Sequence, residues 1–236
     1  MSKEQIVTGV DIGSTKVVIT TGTIKEGMID IIGISKKSNS GMRKGMVTDI
    51  EETVSSITAA LDEAERMAGV PINSAYVSIS GSHIHCAQSK GIIAVSRSDG
   101  EISEVDVERV IEAARTVAMP PNQEILHIIP QYFSIDGQTE QIKDPIGMSG
   151  VRLEASVLVV GGSVSAIRNL GKCVSQAGLD INNMFFTPLA TSEILLSKKQ
   201  KEVGVVLLDI GASTTEMAVF EEGNLIHAKV FPVGSS

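Results

Sequence analysis

Val205-Val206-Leu207-Leu208-Asp209-Ile210-Gly211-Ala212-Ser213-Thr214 is an apolar run that ends in an acid and turns through glycine and small hydroxyl residues. The same pattern occurs near the N-terminus, where an apolar strand reaches Asp11-Ile12-Gly13-Ser14-Thr15. The two contexts agree beyond the turn. The early copy continues as a strand from Lys16, turns at Glu26-Gly27 and enters a third strand from Met28. The later copy continues as Glu216-Met217-Ala218-Val219-Phe220, turns at Glu222-Gly223 and enters Leu225 to Phe231. One supersecondary unit used twice predicts two meanders built alike.

Such a turn presents several backbone N–H groups into one concavity, which suits a phosphate. The candidate site residues are therefore Asp11, Gly13, Ser14, Thr15 and Lys16 in the first copy, and Asp209, Gly211, Ala212, Ser213 and Thr214 in the second. Lys16 would add a point charge toward a terminal phosphate. With 20 basic against 28 acidic residues the net charge is −8, so phosphate must be held by local devices. A divalent cation between it and Asp11 or Asp209 is expected, and magnesium fits because it takes oxygen ligands and keeps several waters. One Asp-x-Gly turn is ordinary turn chemistry. Two in matching contexts are much stronger, and paired phosphate hairpins resemble the actin, Hsp70 and sugar-kinase superfamily, whose two halves clamp ATP.

Composition narrows the function classes. A chain of 236 residues with 42% hydrophobic residues is expected to fold around an aliphatic core. Its acidic surface repels a nucleic-acid backbone and an anionic membrane. Aromatic residues make up 3% and Trp is absent, leaving few platforms for stacked bases. Cys86 and Cys173 are expected to be unpaired, and the N-terminal residues contain no apolar segment of signal-peptide length, so the expected compartment is the cytosol.

Along the chain, a βββ meander is followed by a helix. Thr48 with Glu51 forms its expected capping box, and Ile50, Val54, Ile57, Leu61, Ala64 and Ala68 lie on one face. A strand at Tyr76 to Ser80 completes βββαβ. Residues 83–162 then read as an inserted α/β module: a strand at Gly91 to Ser96, a helix capped by Ser103 with Asp106 and presenting Val107, Val110, Ile111, Ala114 and Val117, strands at Glu124 to Ile129 and Tyr132 to Ile135, and a strand from Val151 to Val160. A helix from Ser163 to Ala177, a strand at Met184 to Thr187 and a helix from Pro188 to Lys198 return to the first unit. The basic run Lys198-Lys199-Gln200-Lys201 reads as a solvated helix C-terminus. His83 and His85 would share a strand face, with Cys86 on the other, which argues against a metal site there. Met42, Met46, Met119, Met148 and Met184 are expected to fill gaps or lie in loops.

Within the superfamily the residues resemble FtsA, the actin-like bacterial cell-division protein. The segments that carry the resemblance are Ser80-Gly81-Ser82-His83-Ile84, Glu101-Ile102-Ser103 leading into Asp106-Val107, Leu126-His127-Ile128-Ile129-Pro130-Gln131, and Asp144-Pro145-Ile146-Gly147-Met148-Ser149-Gly150-Val151-Arg152-Leu153. None is generic to actin folds, and the similarity runs from Val7 to Ser236. Ala212 departs from the pattern, standing where many superfamily members turn through glycine.

The resemblance implies an α/β, actin-like (RNase H-like) ATPase fold, incomplete, with 1–82 plus 163–200 as subdomain 1A, 83–162 as the inserted α+β 1C module and 203–236 as the start of subdomain 2A. It implies a scaffold that links FtsZ polymers to the cytoplasmic face of the membrane at the septum and recruits other division proteins, with self-association through 1C. It also implies ATP and Mg2+ as cofactors. Because the expected adenosine loop, the FtsZ-docking 2B subdomain and the terminal membrane-binding helix have no counterpart here, weak or absent ATP affinity and no direct membrane anchor are expected. The terminal strands are expected to leave one face uncovered. The alternative is an ATP-dependent phosphotransferase or ATPase, for which no base on an acceptor hydroxyl is identifiable from sequence.

Overall fold

The computed structural model describes residues 5–115, 120 and 122–235. In chain order the elements are β1 (Gln5–Ile12), β2 (Lys16–Lys25), β3 (Met28–Ser38), β4 (Met42–Arg43), β5 (Met46–Val47), α1 (Ile50–Ala68), β6 (Ser74–Ile79), β7 (Ile84–Ala94), α2 (Glu104–Arg115), β8 (Gln123–Ile135), β9 (Arg152–Ser163), α3 (Val164–Gln176), β10 (Asp180–Phe186), α4 (Thr187–Leu195), α5 (Lys198–Val203), β11 (Val205–Ile210), β12 (Thr215–Glu221) and β13 (Asn224–Phe231). Val117, Met119 and the ends of the outer segments, 1–4 and 236, lie outside the described residues.

The two meanders form separate sheets. The first is extended by parallel β6 and β10 into the order β10-β6-β1-β2-β3, and the second is β11-β12-β13. α1 and α3 cover one face of the first sheet, and Val17, Ile19, Val77, Ile57 and Leu170 fill the core between them. The cap of α1 lies one residue later than the spacing predicts. Thr48 spends its hydroxyl and its N–H on the carbonyl of Gly41, so Asp49 Oδ1 accepts from the N–H of Glu52 instead.

Residues between β6 and α3 form a third sheet, β7-β9-β8, buried on both faces at its central strand. On one face lies α2, seated so closely that a Cβ on Gly91 would come 2.0 Å from the carbonyl oxygen of Val110; no side chain is compatible with that approach. On the other face, Leu158 and Val160 pack with Leu207, Phe220, Leu225 and Val230 of the second meander. Polar ties reinforce this contact. Gln131 Nε2 donates to the carbonyl of Leu225 at 3.1 Å, Asn224 Nδ2 donates to the carbonyl of Gln131 at 2.9 Å, and Lys143 reaches Glu202 and the carbonyl of Glu222. His127 Nε2 accepts from the N–H of Phe186, pinning β8 to the junction of β10 and α4.

Other sequence expectations change as well. The two strands at 124–129 and 132–135 are one strand, because Pro130 lies on an edge strand where register shifts absorb its missing N–H. The helix expected over 188–198 breaks at Leu196, and Ser197 with Gln200 forms a capping box. The basic run thus opens α5 instead of closing a helix, and Lys201 is buried against Glu193 at 2.7 Å and above the ring of Phe220. His83 occupies the turn before β7, so it shares no strand face with His85.

The outward side chains of edge strand β11, Val206, Leu208 and Ile210, are exposed, as the uncovered-face expectation requires.

Asp106 is the polar anchor of the inserted region. Its buried carboxylate accepts from the N–H and hydroxyl groups of both Ser96 and Ser103, and from Arg109. The Ser103 hydroxyl leads these donors, and together they hold the carboxyl far below the usual range. A depressed acid stabilises the fold above its unfolded pKa and loses that contribution as pH falls. Asp106→Ala is expected to cost roughly 1–3 kcal/mol, as orphaned buried donors do, read from urea denaturation at pH 7, with the deficit shrinking below pH 4.

Candidate functional site

The turns after β1 and β11 have the same local construction. Gly13 N–H donates to the carbonyl of Lys16 at 2.9 Å, and Gly211 N–H donates to the carbonyl of Thr214 at 2.9 Å. Each glycine carbonyl is braced from outside the hairpin: Asn39 Nδ2 donates to Gly13 at 2.8 Å, and Ser235 N–H donates to Gly211 at 3.0 Å. The two turns meet directly. The hydroxyls of Ser14 and Ser213 are 2.6 Å apart, and Ser213 Oγ also accepts from the N–H of Lys44 at 3.1 Å.

Between them is a cavity of about 220 Å³. All ten residues singled out from the sequence line it: Asp11, Gly13, Ser14, Thr15, Lys16, Asp209, Gly211, Ala212, Ser213 and Thr214. Asp11 and Asp209 therefore share one crevice. Ser78 Oγ donates to Asp11 Oδ1, fixing that carboxylate from the neighbouring strand β6. Thr187, the first residue of α4, brings a helix N-terminus to the wall. Gly45 completes the rim at a φ of 76°, and a Cβ there would lie 2.2 Å from Gly81 Cα. The Ser80-Gly81 stretch and the β4–β5 turn are thereby locked together under the site.

Sequence reading missed Glu216. It stands opposite Asp209 on β12, whereas the equivalent position in the first meander, opposite Asp11, is Val18. The signal was a charge at a position where the repeat has an aliphatic residue, inside a strand whose neighbours alternate inward. Glu216 is only 8% exposed and lines the cavity, with the Ser80 hydroxyl beside it and no other hydrogen-bond partner for its Oε2 among the described residues. Burial pushes its carboxyl up to about 7, the charges of Asp209 and Asp11 add to the rise, and Ser80 opposes it.

The donor set is carboxylate and hydroxyl oxygen, with glycine turns that let a ligand approach the main chain. That set suits a hard divalent cation and phosphate oxygens. Among the described residues, no three His, Cys, Asp or Glu side chains come close enough to ligate one metal ion, so a cation here would be held through water.

Because the folded pKa of Glu216 lies above the ordinary 4.5, the folded state holds a proton that the unfolded chain has lost between those values. Stability from this group falls as pH rises through that window, by up to about 3 kcal/mol. Glu216→Gln is expected to flatten the decline between pH 5 and 7.5, measured by urea midpoints in chelator.

The family description "SHS2 domain inserted in FTSA" matches residues 81–161, the region built from β7, α2, β8 and β9. The cell division protein FtsA of Pseudomonas aeruginosa is 44% identical over 97% of this chain and 54% of its own length. FtsA of Bacillus subtilis is 40% identical over 99% of this chain and 53% of its length, and that of Escherichia coli K12 is 38% identical over 97% and 54%. The chain spans about half the length of the curated relatives it matches. Among solved structures, the PilM-PilN type IV pilus biogenesis complex superposes with a TM-score of 0.68 at 14% identity, over 97% of this chain and 62% of the other. The ethanolamine utilization protein EutJ from Carboxydothermus hydrogenoformans gives 0.54 at 17% identity, over 99% and 54%.

Proposed function

The chain belongs to the FtsA family and has an actin-like fold, and from that premise we propose that it is a nucleotide-responsive scaffold of bacterial cell division. In this reading 1–82 with 163–200 is subdomain 1A, 83–162 is the 1C interaction module and 203–236 belongs to subdomain 2A. The two hairpins hold the phosphates of ATP, with Mg2+ carried through water by Asp11 and Asp209. When bound, the ion would neutralise phosphate charge. The chain's own residues do the rest: the turns offer N–H groups and hydroxyls, Lys16 supplies a fixed positive charge, and Ser78 orients Asp11.

The observation that carries the reading is the direct contact of Ser14 with Ser213, which sets both acidic turns on one cavity. Partners are division proteins at the cytoplasmic face of the division site: the 1C surface serves recruitment of other division proteins and self-association, whereas the contact with FtsZ belongs to subdomain 2B of the family. No described helix is long and apolar enough to cross a membrane.

A second reading, ATP hydrolysis or phosphotransfer, gains support from Glu216, a carboxylate in the cavity with a pKa near neutrality. Phosphate release by the purified chain above that of Glu216→Gln would favour it; equal rates would retire it.

If the hairpins make the main contacts, inorganic triphosphate with magnesium should displace a fluorescent ATP analogue as effectively as ATP does, within several-fold. Asp209→Asn should weaken both at least tenfold. Loss of ATP binding alone would contradict the phosphate assignment. For the division role, the fluorescently tagged chain should collect at midcell in dividing bacteria; a uniform cytosolic signal would overturn it.

A further inference from the structure

The segment Leu126-His127-Ile128-Ile129-Pro130-Gln131 is one that the paired turns leave without a task, and its histidine reaches out of the inserted region. His127 Nε2 accepts from the N–H of Phe186 at 3.0 Å. Because β10 lies at the edge of the first sheet, alternate N–H groups along it point away from β6, and this one is taken by the insert. The imidazole also lies against the ring of Phe185, with centroids 5.7 Å apart, and Phe185 lies against Tyr76 at 5.8 Å. A ring stacked on one side and bonded to a main-chain donor on its rim has little freedom to turn.

What this bond fixes is next to the cavity. Phe186 is the N-cap of α4, and its side chain offers the helix no cap. Thr187, the residue after it, stands in the cavity wall. The direction of the first turn of α4 is thus set at the Phe186 N–H, by a residue from the insert. To accept there, Nε2 must carry no proton, which places the proton of the neutral ring on Nδ1. A second proton would turn the acceptor into a donor facing an N–H, and would put positive charge at the positive end of the α4 dipole. Burial already lowers the His127 pKa below the ordinary 6.5, with no neighbouring charge contributing: the groups around the ring are Phe185, Tyr76 behind it, and Val160 opposite on β9.

We propose that His127 is a positioning residue for the phosphate cavity, holding the first turn of α4 and Thr187 at the wall through the Phe186 N–H, so that the seating of the inserted region and the occupancy of the cavity bias each other. The effect on phosphate rests on the nucleotide reading, whereas the placement of Thr187 does not. The sense of the coupling follows from the bond. A ligand that touches the wall as it stands favours the seated insert, and a displaced insert withdraws the wall; linkage makes the two effects equal. The acceptor is intact above pH 6.5 and is lost as pH falls toward the lowered value.

Two measurements on the nucleotide-free chain test the placement. Amide exchange followed by NMR should show the Phe186 N–H at least tenfold more protected in the parent than in His127→Leu. His127→Gln, whose amide oxygen reaches the position of Nε2, should recover most of that protection. The thiol of Thr187→Cys should change its rate of reaction with iodoacetamide at least threefold when His127→Leu is added, and stay unchanged when His127→Gln is added; Cys86 and Cys173, half-buried and buried, give the background. His85→Gln, at an exposed histidine of β7, should match the parent. Circular dichroism confirms that each variant is folded. With magnesium triphosphate, His127→Leu should bind at least fivefold more weakly and His127→Gln within twofold of the parent. Between pH 7 and 5.5 the parent should lose more affinity than His127→Gln, any contribution of Glu216 being common to both. Unchanged Phe186 protection or thiol rate in His127→Leu overturns the proposal, as does His127→Gln behaving like His127→Leu. A parent that binds no triphosphate refutes the nucleotide reading and leaves the placement to be decided by exchange and thiol rate; equal triphosphate binding by parent and His127→Leu overturns the coupling and leaves the nucleotide reading standing.

Discussion

A hydroxyl pair 199 residues apart in sequence, Ser14 and Ser213, brings two separately built hairpins to within a single hydrogen bond of each other. Every other feature of the site follows from that closeness. Each hairpin could fold with its own glycine turn and its own acid and still bind nothing, because one turn supplies only a few donors on an open surface. Face to face, they enclose a cavity, and the carboxylates of Asp11 and Asp209 act on the same volume. Lys44 N–H, bonded to the same serine oxygen, ties this contact to the β4–β5 turn and, through Gly45 and Gly81, to the end of β6. The site is thus held from beneath by backbone packing that admits no side chain.

Bringing acids together opposes folding, and the structure shows where that opposition falls. Glu216 carries it most, with burial and two neighbouring charges disfavouring its ionised form. Stability elsewhere offsets such a local cost: the core between the first sheet, α1 and α3, and the second core that β9 shares with the terminal meander. A functional site that is electrostatically strained while its surroundings are apolar and close-packed is a common division of labour in binding proteins.

The inserted region is more than an appendage. Its sheet is covered by α2 on one face and by the second meander on the other, so β9 reads as a nearly unbroken hydrophobic strand. Gln131, Asn224 and Lys143 add directed hydrogen bonds at the same seam. The hairpin that carries Asp209 therefore shares a core with the region that resembles the SHS2 domain, whereas the hairpin that carries Asp11 belongs to the first sheet. The cavity lies between these two bodies of packing.

Much of this was legible in the sequence because it is local. An acid-glycine-hydroxyl turn between apolar strands depends on residues within a few positions of one another, so both hairpins and the ten lining residues that belong to their turns could be named from spacing. The shift of the α1 cap to Asp49 could not, since it depends on Thr48 being engaged by Gly41. The break between α4 and α5 was written in Ser197 and Gln200, but a continuous helical pattern on either side concealed it. By itself, then, the sequence determined the repeated unit, the chemistry of its turns and the aliphatic character of the cores. The tertiary structure alone decided that the two turns face each other, that Lys201 is buried, and that Glu216 opens into a crowded cavity beside the Ser80 hydroxyl. The reason is that electrostatic and hydrogen-bonding consequences depend on distance in space, which sequence separation does not specify until the sheets have packed.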